Sequence, residues 1–204
     1  MIQINPISQK NLYGHEILFT HIIDLYNKDK LPNKILLSGL KGIGKSTMAF
    51  HLINFIFSKN EEKSYDLNTY TINKDNKSFK LLLNNTNPNF YLLDLINDNK
   101  NIEISQIRKM INYTNKSSFN NLPRIILIDN IEYLNKNSSN ALLKVIEEPN
   151  DNIFFILIHN NSKFLSNTLR SRCLSFKLYI DFDKSLEITN KLFDKDVLND
   201  LNLD

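Results

Sequence analysis

The sequence predicts an α/β fold: a five-stranded parallel sheet flanked by helices, then the start of a small helical unit. Three observations predict it. Runs such as RIILID at 124–129 and IFFILI at 153–158 are unbroken apolar stretches, which is how strands buried on both faces read. Helical spacings alternate with those runs, the order of parallel strands joined by crossover helices. A glycine-rich turn, GLKGIGKS at 39–46, joins the first strand to its helix and holds three of the chain's four glycines. Backbone freedom is concentrated there and is scarce elsewhere.

The elements follow in order. Residues 15–27 place apolar side chains at Ile17, Leu18, Ile22, Ile23, Leu25 and Tyr26, an amphipathic helix ended by KDKLPN at 28–33. Ile35-Leu36-Leu37 is the first strand, and a helix runs from Thr47 to about Phe57. Residues 58–88 weaken into polar, Asn-rich sequence and read as an irregular insertion, with one hairpin around 70–83. NFYLLDLI at 89–96 is the second strand, and EISQIRKMINY at 103–113 has helical spacing. RIILID is the third strand. SSNALLKVIEE at 138–148 is a helix capped by Ser138 or Asn137 and stopped by Pro149. IFFILI is the fourth strand, residues 166–173 a short helix and residues 174–178 the fifth strand. From Asp181 the sequence becomes charged, with a helical pattern at 185–193.

At 204 residues the chain holds one sizeable domain with a small appendage. No run of about 18 apolar residues predicts a membrane span, and the first residues lack a signal-peptide pattern. The single cysteine, Cys173, excludes internal disulfides and cysteine-rich zinc modules, and its expected role is core packing. The expected setting is cytoplasmic. A net charge of +3 permits contact with nucleic acid without arguing for it. Basic residues such as Lys109, Lys116 and Arg124 read as solvated surface.

GLKGIGKS fits G-x-x-x-x-G-K-[ST] in full, between a strand and a helix. In that pattern bare backbone N–H groups wrap the phosphates, the lysine reaches the β- and γ-phosphates, and the hydroxyl helps hold Mg²⁺. The helix N-terminus adds partial positive charge. The candidate nucleotide-binding residues are Gly39, Gly42, Ile43, Gly44, Lys45, Ser46 and Thr47, with ATP or ADP and Mg²⁺ as the expected ligands. Such a loop needs a carboxylate at the end of a neighbouring buried strand. Ile125-Ile126-Leu127-Ile128-Asp129 supplies it, a Walker B pattern, so Ser46 and Asp129 are the expected Mg²⁺-side groups. The next residue, Asn130, is an amide that orients water but takes no proton near neutral pH. Glu132 is expected roughly 7 Å further along an extended chain, a poor substitute. The site reads as built to bind a nucleotide and badly equipped to cleave it. His15 enters no constellation of chemistry-bearing residues.

The second half resembles the clamp-loader branch of the AAA+ ATPases. NALLKVIEEP at 140–149 and Ser171-Arg172-Cys173 match the family's signatures at the expected spacing. EISQIR at 103–108, GHE at 14–16 and LPNKILLSG at 31–39 are similar to its other segments. The resemblance covers roughly residues 12–180 and is specific to bacterial DNA polymerase III clamp loaders. It implies an AAA+ core over residues 1–178 and the beginning of a helical lid over 179–204, the lid truncated and the family's collar domain absent.

Two loader subunits share these motifs. The motor subunit, gamma/tau, carries Asp-Glu in Walker B and a four-cysteine zinc module after the P-loop helix. This chain has Asp129-Asn130 and no cysteine there, so no zinc is expected and the resemblance falls on the delta-prime subunit. NPNFYLL at 87–93 also looks like a delta-prime stretch. The resemblance implies a stator that helps load the sliding clamp, with Arg172 as an arginine finger acting in trans at a neighbour's γ-phosphate. It implies Asn160 (or its neighbour His159) as the polar sensor after the fourth strand. The implied partners are the gamma/tau and delta subunits and, indirectly, the clamp and primer-template DNA, with no membrane. The enzymatic alternative is a slow but active ATPase of the gamma/tau type. A small-molecule P-loop kinase is disfavoured, because such kinases have no need of the EEP and SRC motifs.

Overall fold

The computed structural model describes residues 5–96, 101–115, 122–149 and 152–192. The strands are β1 (Lys34–Gly39), β2 (Phe90–Leu93), β3 (Arg124–Ile128), β4 (Ile153–Asn160) and β5 (Leu174–Lys177). They form one parallel sheet in the order β2-β3-β4-β1-β5. The helices are α1 (Glu16–Asn27), α2 (Lys45–Ser58), α3 (Lys77–Leu83), α4 (Ile104–Thr114), α5 (Lys136–Glu147), α6 (Asn167–Arg170) and α7 (Phe182–Leu192). All strands point the same way, so every strand ends on one edge, where open α/β sheets bind ligands. Register aligns those ends: Gly39 pairs with Asn160, Leu93 with Ile128, and Ile128 with Leu157.

Alternation along the strands builds two cores. Ile35 and Leu37 of β1, with Ile125 and Leu127 of β3, face α1 and α2. Leu36, Ile126 and Ile128 face α4 and α5, meeting Ile107, Met110, Leu142 and Ile146. Each such side chain, withdrawn fully from water, contributes about 1.5–3 kcal/mol. Between its ends α2 is buried on every side, from Met48 through Ser58. The sheet covers one flank, and the segment after α2 covers another through Tyr65, Ile72, Phe79 and Leu82. Polar pins fasten that segment: His51 Nδ1 meets Tyr65 Oη at 2.8 Å, and buried Asn54 donates to Asn76 at 3.1 Å.

Several expectations change here. No hairpin forms over residues 70–83; a helix, α3, occupies 77–83. Asn76 caps it by accepting the Phe79 N–H at 2.7 Å, and the i, i+3 pair Phe79 and Leu82 packs on α2. The cap of α5 is Asn135, which accepts the Ser138 N–H at 2.9 Å. Ser138 lies inside the helix, and its hydroxyl donates to the Ile102 carbonyl at 2.8 Å. β4 runs on to Asn160 because Gly39 of β1 continues to pair with it. Arg124 is buried rather than solvated: Nη1 donates to the Tyr113 carbonyl at 2.6 Å, and the guanidinium lies 4.8 Å from the Tyr113 ring centre. The α7 pattern starts earlier than expected, at Phe182. Lys116, Phe193 and the rest of the tail lie outside the described residues. No helix among the described residues is long and apolar enough to cross a membrane.

Candidate nucleotide-binding site

The glycine-rich loop leaves β1 at Gly39 and enters α2 at Lys45. Gly42 and Gly44 have φ of +84° and +95°, a region side chains rarely adopt. A Cβ on Gly39 would sit 2.8 Å from the Leu178 carbonyl oxygen, so that position is closed to larger residues as well. Gly44 stands at the cap of α2, whose first N–H groups have no intrahelical acceptor. Lys45 is buried and donates to the carbonyls of Gly39 at 3.2 Å and Leu40 at 2.6 Å. Burial pushes its pKa down, opposed by the charges of Asp129 and Glu132.

Asp129 emerges from β3 beside the loop, and Ser46 Oγ donates to its Oδ2 at 2.6 Å. Burial pushes the Asp129 carboxyl above its usual range; the Ser46 bond pulls it back, and the charge of Asp94 raises it further. The two expected Mg²⁺-side groups therefore touch, and both offer oxygen, the donor that hard Mg²⁺ prefers. The cleft in front of them measures about 760 Å³, within the range of small-molecule and cofactor pockets. Residues 40–47, Asp129, Asn130 and Asn160 line it, together with Leu12, Tyr13, Ile180 and Ile188.

The position after Asp129 is occupied by a closed polar network. Asn130 has a φ of +55°, and its amide nitrogen donates to Asp94 Oδ1 at 2.7 Å. Its amide oxygen accepts from Asn160 Nδ2 at 3.0 Å. That same Nδ2 donates to Glu132 Oε1 at 2.7 Å, and the Asn160 backbone N–H donates to Glu132 Oε2 at 3.1 Å. Each carboxylate fixes the orientation of the amide facing it, since only the nitrogen donates. Glu132 is thus not carried away along an extended chain. The left-handed Asn130 turns the backbone into a single 3₁₀ turn, Ile131–Tyr133, which returns Glu132 to the site.

The family model described as DNA polymerase III, delta subunit, matches residues 14–181. The chain belongs to this family. It is 33% identical over 176 residues to DNA polymerase III subunit gamma of Buchnera aphidicola subsp. Schizaphis graminum, covering 86% of this chain and 46% of that protein. It is 29% identical over 170 residues to DNA polymerase III subunit delta' of Buchnera aphidicola subsp. Baizongia pistaciae, covering 80% and 47%. The chain spans about half the length of these relatives. A crystal structure of a DNA polymerase III gamma subunit-related protein from Thermotoga maritima superposes with a TM-score of 0.56 at 18% identity, covering 86% of this chain and 49% of that one. The AAA+ clamp-loader fold expected from the motifs is therefore the fold of this chain.

Within this family frame the sequence-predicted residues divide into two places. Gly42 to Thr47, Asp129 and Asn160 line one cleft, with Gly39 at its root. Arg172 does not line it. It lies after α6, where Nε and Nη2 contact Glu147 Oε1 at 2.7 and 2.6 Å and Nη1 donates to the Thr168 carbonyl at 2.9 Å. Cys173 packs on the α4–α5 core, and burial pushes its thiol up to about 11. His159, the other sensor candidate, turns away and meets the Lys163 carbonyl at 2.9 Å.

Three site residues escaped the sequence reading. Asp94 follows FYLL as Asp129 follows RIILI, so its signal was present: an apolar run ending in an acid. Glu132 was misplaced by the extended-chain assumption. His15 carried no signal at all. It is buried, and its Nε2 donates to the carbonyl of Ile43, a loop residue, at 2.6 Å. Burial holds its pKa below the usual value.

Proposed function

We propose that this chain is a delta-prime-like stator of the DNA polymerase III clamp loader. It binds ATP or ADP with Mg²⁺ at residues 39–47 and Asp129, and turns nucleotide over weakly or not at all. The observation that carries the reading is the committed amide of Asn130. It is bonded at both ends, to Asp94 and Asn160, at the position where hydrolysis needs a free base. Bound Mg²⁺ would supply charge neutralisation at the phosphates. Ser46 and Asp129 would hold its side of the site, Lys45 would exchange its two carbonyl partners for phosphate oxygens, and Asn160 would face the γ-phosphate end.

Arg172 is the residue offered to a neighbouring gamma/tau subunit. Its partner Glu147 and its own side chain are both substantially exposed, 47% and 37%. Exposed pairs of this kind are worth about 0–1 kcal/mol, so little holds the guanidinium back from a phosphoryl group. Such a group in trans accelerates transfer by roughly 10³–10⁵. Assembly with gamma/tau and delta subunits on the sliding clamp and primer-template DNA belongs to this reading.

A second reading, a slow ATPase of the gamma/tau type, is favoured by one observation: the Glu132 carboxylate faces the same network. One experiment separates the two. Phosphate release is measured for the chain alone, and again for a reconstituted loader holding the chain as wild type or Arg172→Ala. The stator reading expects background release alone and a drop of at least about 10³-fold at the neighbouring site when Arg172 is lost. Clear release by the isolated chain, with no effect of Arg172→Ala, makes it a motor.

A further inference from the structure

We infer that His15 is a positioning residue for the phosphate loop: its imidazole holds the Ile43 carbonyl outside the loop and so aims the Gly44 N–H at bound phosphate. The inference rests on the nucleotide-binding reading and deepens it.

His15 lies 28 residues before Ile43 in sequence, at the cap of α1, yet it is only 4% exposed. Its ring is seated against the loop. A Cβ on Gly44 would lie 3.5 Å from Nε2 and 3.6 Å from Cδ2. The partner of Nε2 is a carbonyl oxygen, which only accepts, so Nε2 carries the proton. Among the described residues no peptide is cis, and a trans peptide points its C=O and N–H in opposite directions. A carbonyl held on His15 therefore turns the Gly44 N–H toward the hollow of the loop.

The loop needs such a clamp. The Ile43–Gly44 peptide turns about ψ of Ile43 and φ of Gly44, and Gly44 stands at a φ of +95°. Glycine moves between left- and right-handed conformations at little cost, so on its Gly44 side this peptide is free to rotate. Rotated, it would present a carbonyl oxygen to a phosphate and lose an N–H donor. Lys45 is occupied with the carbonyls of Gly39 and Leu40 and does not restrain Ile43.

His15 is itself well anchored. Its carbonyl accepts the Phe19 N–H at 2.9 Å, and the preceding Gly14 donates to Glu16 Oε1 at 2.9 Å. Gly14 is pressed so closely by Ile180 and Ile188 that a Cβ would meet them at 2.9 and 2.8 Å. Both isoleucines also line the cleft. The clamp thus ties the loop to α1 on one side and to these cleft-lining isoleucines on the other.

The test separates a hydrogen-bond donor from a filler of space. His15→Gln keeps a donor at similar reach; His15→Phe keeps the ring and removes the donor. Dissociation constants for ATP, ADP and adenosine are measured by competition against a fluorescent ATP analogue. The Phe variant is expected to lose about tenfold in affinity for ATP and ADP, the weight of one lost charge-assisted contact. Adenosine affinity should hold, and the Gln variant should stay within about threefold of wild type for every ligand. If the Phe variant does not fold, His15→Leu, equally without a donor, serves the same comparison. Wild-type affinity for ATP in the donorless variant would overturn the inference. So would equal losses for ATP and adenosine, or a Gln variant as weak as the Phe one. Wild-type protein that binds no ATP would overturn the nucleotide reading itself, and the inference with it.

Discussion

The ends of β1 and β3, separated only by β4, solve different problems with different materials. At β1 the working parts are backbone: N–H groups displayed by glycines at positive φ, with Lys45 as the buried charged side chain of the loop. At β3 the working parts are side chains, and they are already bonded to one another through Asp94, Asn130, Asn160 and Glu132. The first end is open to a phosphate; the second is satisfied without one. On the proposed reading, holding a nucleotide and cleaving it thus fall to separate pieces of chain, and one can lapse while the other stays whole.

The largest break in this comparison is Lys45→Ala. It removes the buried cation from the open end and leaves the exposed Lys41 in place. Affinity for ATP should fall by on the order of 100-fold, the scale of two charge-assisted bonds to phosphate. The melting temperature of the nucleotide-free protein should hardly move, because Lys45 there bonds only to carbonyls and its charge is disfavoured by burial. Titration calorimetry and thermal melting on the same variant check both halves.

On the proposed reading, a smaller break tests whether the polar network, rather than the missing carboxylate alone, accounts for weak turnover. Asn130→Glu supplies a carboxylate where hydrolytic relatives of the resemblance carry one. The Asn130 amide nitrogen now lies 2.7 Å from Asp94 Oδ1, so the new carboxylate meets an existing one, and like charges at that range repel. Asn130→Glu alone should leave phosphate release near background. Adding Asp94→Asn restores a donor facing the new acid, and the double variant should exceed either single by about tenfold or more. Strong release by Asn130→Glu alone would show that Asp94 imposes no restraint.

How much of this was legible depends on how local each signal is. The phosphate loop could be read letter by letter, because a fixed backbone geometry demands glycine, lysine and serine at fixed spacing. The five strands were legible as apolar runs, with ends off by up to three residues: the second, expected to run to 96, stops at Leu93. α3 was missed because its helical signal is one cap, Asn76, and one buried pair in Asn-rich surroundings. Glu132 was misplaced because Asn130 adopts the left-handed backbone that asparagine tolerates better than most residues, and that turn folds the chain back. His15 was beyond reach, since its role is a contact across 28 residues that no spacing announces.

The smallest and sharpest probe acts on Asp129, where the two ends touch through Ser46. The folded protein raises the Asp129 pKa, first through burial. An acid so raised keeps its proton longer in the folded state than in the unfolded one. Its contribution to stability is therefore complete below the unfolded pKa and declines as pH rises through the folded one. At neutral pH, without nucleotide, the ionised carboxylate is a burden on the fold. Asp129→Asn, equal in size and uncharged, should then melt a few degrees higher than wild type at pH 7, and the difference should shrink as pH is lowered toward the aspartate range. The same variant should lose the part of ATP affinity that depends on Mg²⁺ and keep the part measured in a chelator, which the loop supplies. A variant that melts lower at pH 7 would mean that the Ser46 bond outweighs burial. One that keeps its Mg²⁺ dependence would move the metal-side carboxylate from Asp129 to another acid in the cluster.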